Sequence, residues 1–422
     1  MKILQRHNTS MHWVFIYSII VLTYACSQPK KESIDNEEKV IHEKGTFGYD
    51  LDFLKEHYDD LVVLKNGNAQ VIVSPALQGR VLTSTAEGAK GQSFGWLNHD
   101  LIASGEQMEH FNPIGGEERF WLGPEGGQFS IYFKPESSFD FENWYVPKEI
   151  DTEPFELVSS SSSQASFKKQ MQLTNYSNTV FNLNVSRTIK LLNNQEISSA
   201  LDTELTENIQ AVGFESENII SNNGENNWDK NSGMLSIWIL SMLNPSPSTA
   251  VVVPFKEGDE TELGKIVTDD YFGKVPSDRL IVKDEVLFFK ADGKKRSKIG
   301  LSPQRALPIA GSYDAQNQVL TIAQFTLPEN NHDYVNSLWE IQDKPFAGDA
   351  VNSYNDGPLD NGDQLGPFYE IESSSPAANL AAGESLTHIH RTFHFKGESD
   401  DLNRLAKTLL KVDLNEIEKA FD

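Results

Sequence analysis

Apolar and polar positions alternate with period two along much of this chain. Phe181, Leu183, Val185, Arg187, Ile189 and Leu191 fall on one side of such a run, with polar residues between them, which predicts a half-buried strand. Other runs are apolar throughout. Leu235–Leu240, Ala250–Val253, Val286–Phe289 and Val319–Phe325 predict strands covered on both faces, and Gln70–Val73 a further strand ending in the turn Ser74-Pro75. Gly, Pro, Asn and Asp punctuate these runs at short intervals. Helical periodicity is scarce. It is found over Tyr49–Tyr58 and in the C-terminal stripe Leu402, Leu405, Leu409, Leu410, Leu414 and Ile417, with Ser399 as its N-cap. After about Thr46 no linker-like break and no repeat occurs, and Ser159–Ser163 reads as a loop tip. The expectation is an all-β chain, one large antiparallel sandwich over residues 46–422 with a C-terminal α-helix.

The first 45 residues follow another pattern. Lys2 and Arg6 precede the apolar run Val14–Ala25, which at twelve residues is short of the ~20 needed to span a bilayer. A basic start, a short apolar stretch and a small final residue predict a signal peptide over residues 1–25. Leu22-Thr23-Tyr24-Ala25-Cys26 resembles a bacterial lipobox, which implies cleavage before Cys26 and acylation of that residue with palmitate-type chains. An uncleaved N-terminal anchor is the competing reading. Residues 26–45 are polar and read as a flexible tether. Ser27, following the cysteine, fits an outer-membrane destination.

The chain has 422 residues and a formal net charge of −25. That acidity argues against nucleic acid as a partner, since phosphate recognition runs on Lys and Arg. Its single cysteine excludes a disulfide scaffold and, once acylated, a thiol nucleophile. No HExxH pair or phosphate loop occurs.

Three segments carry candidate chemistry. The first runs from His110 to Gly127 and joins Glu117, Glu118, Arg119, Trp121 and Glu125 with glycine pairs that let backbones approach closely. Flat aromatic faces beside charged groups suit a carbohydrate, whereas a tight turn with an internal Glu–Arg pair would show the same residues. The second spans Trp339 to Asp363 and includes Asn355 and Asp356. Its oxygen density suits Ca²⁺, but EF-hand spacing fails at Tyr354, and Asx-rich turns share this composition. The third contains Glu370 and Glu372, then His388, His390 and His394. Each set shares one face of a strand, the glutamates as an acid/base pair and the histidines as zinc ligands or, as is commoner for an alternating His/Arg strand, a solvated or hydrogen-bonded face.

Val71–Leu82, with its Ser-Pro and Gly-Arg, resembles the opening strands of galactose-mutarotase-like proteins, and Tyr369–Glu372, Pro376 and Leu380–Ser385 resemble the end of that fold. The chain is most similar to an uncharacterised family of Bacteroidota lipoproteins carrying GGE-R-WLGPEGG, YNDGP and GPFYE-ES-SP, over roughly residues 50–396. The resemblance implies a β-supersandwich with a sugar-handling cleft. It implies that Glu372 acts as base on an anomeric hydroxyl. The mid-chain histidine of mutarotases does not carry over, because no histidine lies between His110 and His332, so His110 or Arg119 would replace it. Glu118, Trp121, Glu125, Trp339, Asn355, Asp356 and Glu370 are the expected sugar-contacting residues. Together these readings describe a membrane-anchored lipoprotein handling carbohydrate in polysaccharide utilisation, without an obligatory cofactor. The alternative is a non-catalytic glycan-binding or structural envelope lipoprotein.

Overall fold

Both kinds of apolar run become strands, and what separates them is whether one face or two is covered. The structure, a computed structural model, describes residues 41–359 and 361–422. The predicted signal peptide (1–25), Cys26, residues 27–40 of the tether and Asp360 lie outside the described residues. Ile41–Asp422 forms one compact unit.

All three sheets are antiparallel. Ten strands make the large one, in the order Leu280–Lys283, Val286–Lys290, Thr249–Pro254, Ile309–Asp314, Val319–Phe325, Ser385–Lys396, Gln210–Asn222, Val180–Leu192, Gln164–Thr174 and Glu156–Ser160. The small sheet has five, in the order Ser297–Leu301, Val351–Asn355, Tyr369–Ser374, Ser236–Leu240 and Arg119–Gly123. A three-stranded sheet, Val62–Asn66, Ala69–Ser74 and Arg80–Thr85, joins the same core.

The large and small sheets pack face to face. Phe167, Phe181 and Val185 of one meet Phe120, Leu122 and Ile237 of the other, and Val251 and Phe289 meet Ile299 and Ile371. The opposite face of the large sheet is covered by the C-terminal helix Ser399–Leu410 and a shorter one, Leu414–Glu418. This double cover explains the unbroken Ala250–Val253 run. Val251 and Val253 enter the sandwich while Ala250 and Val252 meet the helical side. Each fully buried valine among them stabilises by ~1.5–3 kcal/mol. Leu402, Leu405, Leu409, Leu410, Leu414 and Ile417 are all buried, as their spacing predicts. The N-cap of that helix is Glu398, and Ser399 is its first residue. The predicted N-terminal helix runs Phe47–His57, capped by Thr46, whose Oγ1 accepts from Tyr49 N at 3.4 Å.

The sandwich interior is unusually polar at its centre. His388 Nε2 and His390 Nδ1 each lie 2.8 Å from Ser373 Oγ, and burial pushes both imidazoles down to about 3, so they are neutral. His394 reaches Glu117 Oε1 at 2.6 Å and stacks on Phe94. The three histidines do share one face. It points inward as a hydrogen-bonded row.

Candidate functional site

In the small sheet, side chains alternate between the sandwich and the outer face. Tyr369, Ile371 and Ser373 turn inward, where Tyr369 OH meets Ser312 Oγ of the large sheet at 2.8 Å. Glu370 and Glu372 therefore share the outer face. Strand register does the rest. Glu372 falls in one cross-strand row with Asn352, Leu240 and Arg119, and Glu370 falls in the next with Tyr354 and Lys298. Trp121 pairs with Trp238 across the neighbouring strands.

The two glutamates sit in different electrostatic settings. Glu372 Oε2 accepts from Lys298 Nζ at 2.8 Å and from Trp238 Nε1 at 2.9 Å, while its Oε1 is buried with no partner. Glu370 has one long contact, 3.4 Å from Arg119 Nη2. Burial, reinforced by the charge of Glu372, outweighs Arg119 and Lys298 and pushes its carboxyl up to about 8. The value of Lys298 rises as well, which for an amine favours the charged form. Burial works against its ammonium, but Glu372, Glu125 and Glu370 raise its value overall. The pair thus meets the condition for divided acid and base roles, one carboxyl protonated at neutral pH and the other in an ion pair.

Aromatic groups wall this cluster. The Arg119 guanidinium lies 3.9 Å over the Trp121 ring, and Lys298 Nζ lies 5.0 Å from that of Trp238. Glu125, raised by its burial, feels Lys298 and accepts a hydrogen bond from Trp339. Trp339 stacks on Trp144 at 5.8 Å, and Trp144 continues to Phe141 at 6.0 Å. The glycine pairs allow these loops to close. A Cβ at Gly126 would lie 2.4 Å from Leu338 O, and one at Gly115 would lie 2.2 Å from Trp96 O.

A family profile described as a family of unknown function (DUF6786) matches residues 45–421. The chain belongs to that family. No curated protein matches it. Among solved structures it is similar to a provisionally named aldose 1-epimerase of Escherichia coli K12, with 14% identity, 80% of this chain and 99% of that chain covered, and a TM-score of 0.48. It is similar to a galactose mutarotase-like protein of Lactobacillus casei (9% identity, 80% and 100% covered, TM-score 0.45). A third is the galactose mutarotase related enzyme of Lactobacillus acidophilus (10% identity, 81% and 98% covered, TM-score 0.42).

In this DUF6786 member the structure gathers Glu372, Glu370, Arg119, Trp121, Glu125 and Trp339 from the sequence-predicted set. Three others go elsewhere. Glu118 adjoins Arg119 on a strand and so faces inward, where it is wholly buried against Arg187 at 2.7 Å. Asn355 also faces inward, accepting from Gly293 N and donating to Lys295 O, both at 2.8 Å. His110 stacks between Phe141 and Tyr145 at 4.5 and 4.6 Å, at the far end of the aromatic wall. Asp356 lies beside the site, taking the Tyr354 hydroxyl at 2.7 Å and Gly366 N at 3.0 Å, and its charge is felt at Glu370. The internal Glu–Arg pair also fails, since Glu117, Glu118 and Arg119 partner His394, Arg187 and Glu370.

Lys298, Trp238, Tyr271 and Asp349 join the site without having been singled out. Tyr271 OH donates to Asp349 and accepts from Asn352 Nδ2 at 3.1 Å, and burial pushes the Asp349 carboxyl up to about 6. Trp238 was hidden in a run that reads as wholly buried. The alternation of Arg296 and Lys298 before Ile299 was the one signal for Lys298. Among the described residues no three carboxylate, imidazole or thiol groups converge as cation ligands. The Asp349, Asn352, Asn355 and Asp356 side chains are engaged in hydrogen bonds within the protein.

Proposed function

We propose that this protein binds a sugar on the outer face of the small sheet and interconverts its anomers. One observation carries the reading: Glu372 presents a buried, unpartnered Oε1 beside a Glu370 carboxyl that burial keeps protonated at neutral pH. Glu372 Oε1 takes the proton of the anomeric hydroxyl. The C1–ring-oxygen bond breaks as C1=O forms, and Glu370 delivers its proton to the departing ring oxygen. Rotation about C1–C2 and reversal of these transfers gives the other anomer. Lys298 and Trp238 hold Glu372 in place, and Trp121, Trp238 and Trp339 offer flat faces to the ring. In this scheme Glu370, rather than His110, replaces the missing histidine.

The test is proton NMR of the full-length protein with neutral and acidic reducing sugars, recording anomeric exchange and saturation transfer. Accelerated exchange is expected, with Glu372→Gln losing ~10²–10⁴-fold of it. Equal exchange by the variant removes Glu372 from the mechanism. Saturation transfer without exchange replaces catalysis by glycan capture, the reading the aromatic wall favours by itself.

We further propose that acylated Cys26 tethers this domain to the outer membrane of a Bacteroidota cell as part of polysaccharide utilisation. Labelled palmitate should enter the wild-type chain and not Cys26→Ser, and equal labelling of the two would end that proposal.

A further inference from the structure

Arg119 is the least satisfied charge in the site. It is 4% exposed, and its Nε and Nη1 have no partner. Its one polar contact, Nη2 to Glu370 at 3.4 Å, is long for a charge-assisted bond. That carboxyl is moreover neutral below about pH 8, so at neutral pH the guanidinium faces no full negative charge there. Stacking on Trp121 occupies the face of the guanidinium and leaves its N–H donors pointing outward in the plane, where acceptors must lie. Leaving a buried cation with unmet donors is costly, and an anionic ligand group would offset that cost.

A second observation lies at the entrance. Lys294-Lys295-Arg296-Ser297-Lys298 places four cations within five residues of a chain whose net charge is −25. Lys298 enters the site, and Arg296 stands just before the first residue of that strand, Ser297. The Arg296 guanidinium lies 3.9 Å over the Phe272 ring, and its charge is felt at Glu125 and at Tyr354. Lys294, Lys295 and Arg296 are exposed, and among the described residues none of them forms a salt bridge. In an acidic protein such a run steers anions to one place.

We infer that the sugar taken by this site is acidic, its ring bearing a carboxylate or sulfate that docks on Arg119 after passing the Lys294–Arg296 run. This rests on the sugar reading above and narrows its substrate class. The anion fills the unmet donors of Arg119, leaves Glu370 its proton and places the ring against Trp121.

The test is titration calorimetry of the full-length protein with galacturonate and glucuronate disaccharides, their neutral galactose and glucose counterparts, and a sulfated galactose disaccharide. At low salt at least one acidic sugar should bind ~10-fold or more tighter than its neutral counterpart, and added salt should erode the gap. Tighter binding of uronates assigns the carboxylate, and of the sulfated sugar the sulfate. Arg119→Gln should erase the preference. Lys294→Ser/Lys295→Ser, which changes exposed residues alone, should shrink it with the fold intact. Equal binding of acidic and neutral sugars overturns the acidic class and leaves the sugar reading standing. If no sugar binds, both fall.

Discussion

Glu370 makes the link between site chemistry and stability measurable. In the unfolded chain its carboxyl titrates near 4.5, and in the folded protein near 8. Between those values the folded state keeps a proton that the unfolded chain has lost. Stability is therefore fully present below 4.5 and falls as pH rises through the window, by on the order of 1 kcal/mol per pH unit at most. The neutral pair His388 and His390 tilts the other way, but only below its unfolded value of 6.5. Asp349 acts with Glu370, but only up to about 6. Burial also raises the carboxyls of Glu118, Glu125, Asp151 and Asp356, which act in the same direction as Glu370, so the difference between wild type and Glu370→Gln isolates the Glu370 share. Urea midpoints should drop more steeply from pH 6.5 to 8 in the wild type than in Glu370→Gln. Parallel profiles would mean that Glu370 is ionised at neutral pH and is not the acid.

At the scale of elements, legibility depended on whether a segment's strand character showed. The alternation of Val180–Leu192 is visible in the sequence because polar residues separate its buried ones, and Arg187 follows the same rule even though it is charged. The C-terminal stripe is visible because its helical spacing is uninterrupted. The stretch leading into Arg119–Gly123 carries glycine pairs that suit a tight turn, and these mask its period-two alternation. Applied there, it separates Glu118 from Arg119 and Trp121 at once, since neighbours on a strand face opposite ways. Glu370 and Glu372, two apart, were placed together correctly for that reason. Lys298 could not be placed, because it meets Glu372 only through the pairing of Ser297–Leu301 with Val351–Asn355, a contact 74 residues apart in sequence. Register between distant strands carries no local signature.

At the scale of the whole molecule one buried ion pair joins the three sheets. Arg187 of the large sheet donates from Nη2 to Glu118 at 2.7 Å, from Nε to Gly79 O at 3.1 Å, and from Nη1 to Asn218. Glu118 leads into the edge strand of the small sheet, and Gly79 precedes the last strand of the three-stranded one. Both charged side chains are 0% exposed, so removing one strands the other in a medium that cannot solvate it. Glu118→Ala and Arg187→Met should each cost ~3–5 kcal/mol in urea unfolding. Glu118→Leu/Arg187→Met leaves no orphan charge and should lose far less than the sum of the two. Additive losses would show that each residue acts through its other contacts and not through the pair. Because Glu118 and Arg119 are adjacent on opposite faces, the pair also fixes the register that brings Arg119 to Glu370. The double variant should therefore recover stability more completely than it recovers sugar affinity, which calorimetry on the same samples would separate.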